Sequence, residues 1–256
     1  MLILLPPSEG KTAPRRGKPL VLSSMGSPVL TDARERLVTA LERLSEQPDA
    51  AQVLGIGGTQ TDLVALNARV RTSPTARADA IYTGVLYDAL AFADLSPAAR
   101  RRATSRVAVV SSLFGLVRPG DRIPAYRLSG DVSLPGVGSV AGVWRAELGP
   151  AIVDALGTGL LVDLRSTSYA AFWRPPVELA RRTATVRVLH ETDGKRSVVS
   201  HFNKATKGRI VRALLEDGRN PGTPAALARV LEDLGWHIEA TAERTGTRLD
   251  VIVSDL

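Results

Sequence analysis

The chain reads as an α+β domain: a mixed sheet with surrounding helices and a helix-hairpin-helix-like unit near its N-terminal third. Three observations predict this. Residues 107–110 and 160–164 are short apolar runs, as expected of strands buried on both faces. Residues 186–191 and 197–202 flank Asp193-Gly194, the clearest hairpin signal in the chain, and residues 236–241 with 248–253 form a second. Strand and helix patterns interleave without a strict βαβ rhythm, which favours a mixed sheet over a doubly wound one.

In order along the chain, residues 1–5 form a first buried strand. They are too few for a signal peptide, lack a basic start and meet Pro6 at once. Residues 8–28, rich in Gly, Pro and cations, read as a long ordered loop. Thr31 is the expected N-cap of a helix over 32–45 with Ala33, Leu37, Ala40, Leu41 and Leu44 on one face. Pro48 opens a short helical unit ending at Leu54, and Ser73-Pro74 begins another helical stretch. Residues 81–92 turn into a helix, and Ser96-Pro97 starts a basic one through Arg102. After the strand at Val107, residues 140–156 form a helix with Val143, Trp144, Leu148, Ile152 and Leu156 inward. Helices over 203–215 and 223–234 follow the first hairpin. Trp144, Trp173 and Trp236 each lie on an apolar face and read as core. No repeat or linker interrupts the pattern, so residues 1–256 form a single domain.

Composition narrows the function. No apolar run approaches the ~20 residues that span a bilayer, so no membrane is expected as a partner. The chain has no cysteine, and its three histidines, His190, His201 and His237, lack metal-ligand spacing. No metal or other cofactor is expected, and a cytoplasmic location is. Against 26 acidic residues stand 33 Lys and Arg, a net charge of +7, which favours a polyanion such as nucleic acid. Only five of those cations are lysines (Lys11, Lys18, Lys195, Lys204, Lys207), a bias of the kind GC-rich genomes produce, so arginine number alone says little.

Five segments carry candidate chemistry. In AQVLGIGGTQTDLVALNARV (51–70), Gly55 and Gly57 permit a tight turn, and Gly58 and Thr59 would offer N–H groups to a phosphate. The same segment also reads as a glycine-capped helix followed by a new one. SEGKT (8–12) lacks the first glycine of a P-loop and runs into Ala13-Pro14 rather than a helix, leaving Lys11 as a point charge at a strand's end. Lys204 and Lys207, three apart, share a helical face. Asp163, Arg165, Ser166, Ser168 and Tyr169 follow the second buried strand. With Ser111 and Ser112 after the first, they would line one cleft if the strands are neighbours; strand-end capping is the structural alternative. The loop after Ser112 carries Arg118, Asp121, Arg122, Tyr126 and Arg127, stiffened by Pro119 and Pro124, with a surplus of cations.

The segment SLFGLVRPGDRIPAYRLS (112–129) resembles the signature of the YaaA family of bacterial peroxide-stress proteins. MLILLPPSEGKT, IYTGVLYDAL, LLVDLRSTSYAAFWRP and SHFNKATKGRIVRALLE agree with it in order along nearly the whole chain. One departure is visible: many relatives follow the first strand with Ser-Pro-Ala-Lys-Thr, where this chain has Pro6-Pro7-Ser8-Glu9-Gly10-Lys11-Thr12. The resemblance implies a cytoplasmic protein of the peroxide response, with DNA binding and limitation of free iron as associated roles. The reading that follows is a non-enzymatic DNA-binding protein. Gly55, Gly57, Gly58 and Thr59 would grip the backbone of duplex or branched DNA, and Lys11, Arg118, Arg127, Lys204 and Lys207 would neutralise phosphates. The alternative is an enzyme acting on a nucleobase, nucleotide or damaged DNA, with Asp163, Ser166, Tyr169 and Arg118 around the reacting group. An adaptor role is the third reading.

Overall fold

A computed structural model describes residues 1–57, 62–192 and 194–254. Eight strands build one mixed sheet: β1 (Leu2–Leu5), β2 (Val107–Ser111), β3 (Gly115–Val117), β4 (Leu161–Asp163), β5 (Thr183–Thr192), β6 (Lys195–Ser197), β7 (His237–Glu243) and β8 (Gly246–Val253). Their order is β7-β8-β5-β4-β1-β2-β3, with β6 paired to β5. The five inner strands, from β8 to β2, are parallel, and β3, β6 and β7 run antiparallel to their neighbours. The α+β class with a mixed sheet is therefore correct.

The apolar runs explain the centre of the sheet. Leu2, Ile3, Leu4 and Leu5 are all fully buried, as are Val107, Ala108, Val110, Leu161 and Val162. Both faces of these strands are covered, so the sequence shows continuous apolar runs rather than alternation. Each such side chain contributes about 1.5–3 kcal/mol by burial. Leu4 lies opposite Ala108 on one side and Asp163 on the other, and the three strands run parallel, so their carboxyl ends point the same way, with β2 reaching two residues past Leu5. The segments leaving them, beginning at Pro6, Ser112 and Leu164, emerge on the same edge of the sheet.

Local signals set the long helices. Val140–Leu156 is capped by the Ser139 hydroxyl, which accepts from the Gly142 N–H at 3.0 Å. Its Trp144 is fully buried, donates to the Ser112 carbonyl at 2.6 Å, and presses on Gly115, where a Cβ would sit 2.6 Å from the indole. Ser200–Asp217 packs on the short helix Val85–Leu90 through Gly208. A Cβ there would collide with the Leu86 carbonyl oxygen. Arg34, on Thr31–Ser45, is an unexpected core residue: completely buried, it donates to the carbonyls of Phe114 (2.9 Å), Gly26 (2.8 Å) and Leu116 (3.0 Å).

Several expectations need correction. Thr31 lies inside its helix, which continues from the 3-10 turn Pro28–Leu30. The stretch after Ser73-Pro74 forms the strand Ala76–Arg77, paired with Arg122–Ile123, before a single helical turn at Ala78–Ile81. The basic helix runs past Arg102, as Pro97–Arg106. The second arm of the first hairpin is only Lys195–Ser197; the apolar residues beyond it lead into the helix at Ser200 instead of extending the strand. The helix-hairpin-helix-like unit is not confirmed. Two short helices, Ala50–Val53 and Asp62–Asn67, flank it, and Gly58 and Thr59 lie outside the described residues. Among the described residues no helix is long and apolar enough to cross a membrane.

Candidate functional site

The strand ends of β1 and β2 carry a buried polar cluster. The Ser111 hydroxyl accepts from the N–H groups of Leu113 (3.2 Å) and Phe114 (2.9 Å), so its own proton is free for the Tyr126 hydroxyl at 2.7 Å. Tyr126 in turn meets the Tyr82 hydroxyl at 3.3 Å, and Tyr87 donates to the Pro6 carbonyl at 2.7 Å. Burial pushes the phenols of Tyr82, Tyr87 and Tyr126 up, so all three stay neutral donors near neutral pH.

Lys11 reaches into this cluster. Its backbone bridges to Tyr82, and the Thr12 N–H donates to the Ile81 carbonyl at 2.9 Å. The Lys11 Nζ donates to the carbonyls of Ser8 (2.7 Å) and Glu9 (3.4 Å), and lies 4.2 Å from the centre of the Tyr126 ring and 5.7 Å from that of Tyr82. Burial above all, then the Arg127 guanidinium, brings its pKa down to about 7, against the opposing pull of Glu9. Arg127 donates to Glu9 Oε2 at 2.7 Å, and its backbone is clamped by Asn67, which pairs with its N–H (2.8 Å) and its carbonyl (2.6 Å). The Arg127 Nε is buried and has no hydrogen-bond partner.

A second cluster follows β4. Asp163 receives Arg165 through both oxygens, at 2.9 and 2.6 Å, and also the Arg165 backbone N–H at 3.0 Å. The Arg165 side chain is fully buried and donates further to the carbonyls of Tyr169 (3.1 Å) and Trp173 (2.9 Å). This fork fixes the loop that leaves the strand and keeps the carboxylate paired. Lys207 donates to the Leu164 carbonyl at 3.0 Å; burial lowers its pKa, and Asp163 opposes that.

The structure brings the two clusters to one face. Arg165, Ser166, Arg187, Asn203, Lys204 and Lys207 line a cleft of about 510 Å³. Pro6, Leu86 and Lys204 also form part of the wall of a cavity of about 360 Å³, whose lining includes Ser8, Glu9, Gly10 and Thr83. Of the lysines expected on one helical face, both line the cleft, and Lys204 also borders the loop that carries Lys11. Within this cleft Arg187 is held by Asp250 at 2.7 Å through both oxygens, and the buried Asn203 Oδ1 has no partner.

Arg118 is not part of this face. Its guanidinium donates to the carbonyls of Ser105 (3.2 Å) and Val107 (3.3 Å), at the amino end of β2, on the opposite edge of the sheet. The segment expected to be a loop contains β3, which runs antiparallel to β2 and returns the chain to the amino end of β2 before Arg118. Gly55 and Gly57 are exposed, with open space where a Cβ would stand. Tyr82, Asn67 and Arg187 went unrecognised in the sequence; the pair of tyrosines in IYTGVLYDAL was the available sign of the first. Among the described residues no group of three or more His, Cys, Asp or Glu is placed to hold a metal ion.

Residues 1–242 match the family described as peroxide stress protein YaaA. A UPF0246 protein of Streptomyces coelicolor is 50% identical over 261 residues, covering 100% of both chains. A UPF0246 protein of Corynebacterium efficiens is 43% identical over 249 residues, 96% of this chain and 98% of the relative. One from Bacteroides thetaiotaomicron is 30% identical over 162 residues, 61% of this chain and 62% of the relative.

Proposed function

The chain belongs to the YaaA family of peroxide stress proteins, and from that premise we propose that it acts in the cytoplasm by binding DNA across the basic cleft. Binding there would help to limit iron- and peroxide-driven damage. The observation that carries this reading is the convergence of Lys204 and Lys207 on one cleft beside the loop of Lys11. Lys204 is exposed, and the first turns of its helix hold both lysines where an anion relieves their opposition to the helix dipole. Arg127 adds a guanidinium with one N–H still free for an acceptor. Gly55, Gly57, Gly58 and Thr59 complete the proposal as a backbone grip, since Asn67, at the end of the neighbouring helix, holds Arg127.

Fluorescence anisotropy of duplex and branched oligonucleotides at varied salt tests it. Each phosphate contact contributes about 0.9 to the log–log salt slope. Affinity that does not change between about 50 and 200 mM salt removes phosphate as the ligand.

A second reading has its own support: the cavity of about 360 Å³, lined by Tyr87 and Ser8, suits a small nucleotide-like ligand, and the buried Ser111–Tyr126–Tyr82 chain behind it suits proton transfer. In that reading Ser166 contributes from the adjoining cleft of about 510 Å³, and Asp163 acts by orienting Arg165.

A further inference from the structure

A lysine that serves only to neutralise phosphate is best exposed and charged, whereas Lys11 is largely buried among neutral groups. We infer that Lys11 is a nucleophilic amine that condenses with an aldehyde flanked by phosphate, the chemistry of an open-chain deoxyribose that has lost its base, with Arg127 receiving the phosphate oxygen. The inference rests on reading this face as a phosphate-binding one.

Three features of the geometry support it. The charged groups facing Lys11 are Arg127 and Glu9, and the Glu9 carboxylate is taken by Arg127 at 2.7 Å. Its other neighbours are neutral: two backbone carbonyls and the faces of Tyr126 and Tyr82. The amine therefore lacks the carboxylate partner that would hold it protonated. Next, the Arg127 Nε is a buried donor without an acceptor, on a side chain bound to the same Glu9 whose carbonyl receives Lys11. Such a donor costs stability unless something accepts from it, which a ligand oxygen would do. Finally, the Tyr126 hydroxyl, on the ring beneath the amine, is the middle member of a hydrogen-bonded chain between Ser111 and Tyr82, through which a proton can be passed to a carbonyl oxygen.

The step balances without an oxidant or reductant. The Nζ lone pair attacks the carbonyl carbon to give a carbinolamine, whose hydroxyl takes up a proton and leaves as water. Ammonium and aldehyde become iminium and water. With its pKa brought to about 7, a large share of Lys11 is free amine at neutral pH, whereas an exposed lysine is almost wholly protonated.

The test treats the full chain with 2-deoxyribose 5-phosphate, or with a duplex holding one abasic site, and reduces with sodium cyanoborohydride. Peptide mass spectrometry then locates the adduct, one aldehyde less one oxygen. Labelling of Lys11 is expected to exceed that of exposed Lys18 by about ten-fold or more at pH 7, because about half of Lys11 is free amine there. The Lys11 rate should rise with pH to a plateau, with its midpoint near 7. Lys11→Met removes this adduct, and Lys18→Met retains it. Labelling spread evenly over Lys11, Lys18 and Lys195, or absent from Lys11 with both aldehydes, overturns the inference, and salt-dependent DNA binding would survive that result. Capture of the free sugar phosphate without any DNA affinity would uphold the nucleophile and remove the DNA reading instead.

Discussion

Lys11 shows how far a residue's chemistry departs from its type. In the sequence it is a lysine after a strand, legible as a cation near a ligand. Its burial depends on Tyr82 and Tyr126, brought in from two distant segments, and nothing in local pattern announces that. The consequence is a pH signature. A lysine whose folded pKa lies near 7 and unfolded pKa near 10.4 leaves the unfolded chain holding more protons between those values. Stability from this group therefore rises with pH from about 7 upward, by at most about 1.4 kcal/mol per unit. Urea unfolding at pH 7 and 9 should show that rise in the wild type and a smaller one in Lys11→Met. Equal slopes would mean that the lysine is solvated. Arg34 was still less legible, since its helix position marks it only as one residue of an amphipathic pattern. Arg34→Met leaves three carbonyls short of a donor and should cost about 3 kcal/mol, measured by chemical denaturation.

Elements were legible where caps and periodicity agree. Val140–Leu156 was located to the residue from its apolar periodicity, and in the structure Ser139 caps it and Gly157 ends it. The strand expected over 197–202 failed because short apolar runs fit either a strand or a buried helical turn, and the packing of Ser200–Asp217 on Val85–Leu90 decided for the helix. That packing inverts a propensity rule. Gly→Ala inside a helix ordinarily stabilises by about 1 kcal/mol. At Gly208 the added methyl meets the Leu86 carbonyl oxygen and Ala89, so Gly208→Ala should lower the melting temperature by several degrees. A rise would show that the two helices separate freely. Gly57 is the opposite case, with open space around it. Gly57→Val should leave the melting temperature nearly unchanged and weaken DNA binding if the backbone there meets phosphate; unchanged affinity would make the turn purely structural.

At the scale of the whole molecule, the class was legible and strand order was not; the strands ending at Ser111 and Asp163, whose adjacency a shared cleft required, are separated by β1. Alternation and apolar runs disclose strands, but pairing is non-local, so neither the place of β1 between β2 and β4 nor the exile of Arg118 to the far edge could be read. Lys204 and Lys207 could be placed side by side from the sequence because they share one helix. Replacing both with alanine should shed up to two contacts, about 1.8, from the salt slope, and weaken binding evenly across DNA sequences. A slope that stays at the wild-type value would place the phosphates elsewhere. The central position of β1 has another consequence, for biosynthesis. Leu2–Leu5 is translated before either of its neighbours, and β2 begins only at Val107. At about 5–20 residues per second, the ribosome needs several seconds to supply that first partner, and longer to supply β4. Until then four consecutive large aliphatic residues wait unpaired on a nascent chain, exposed to aggregation.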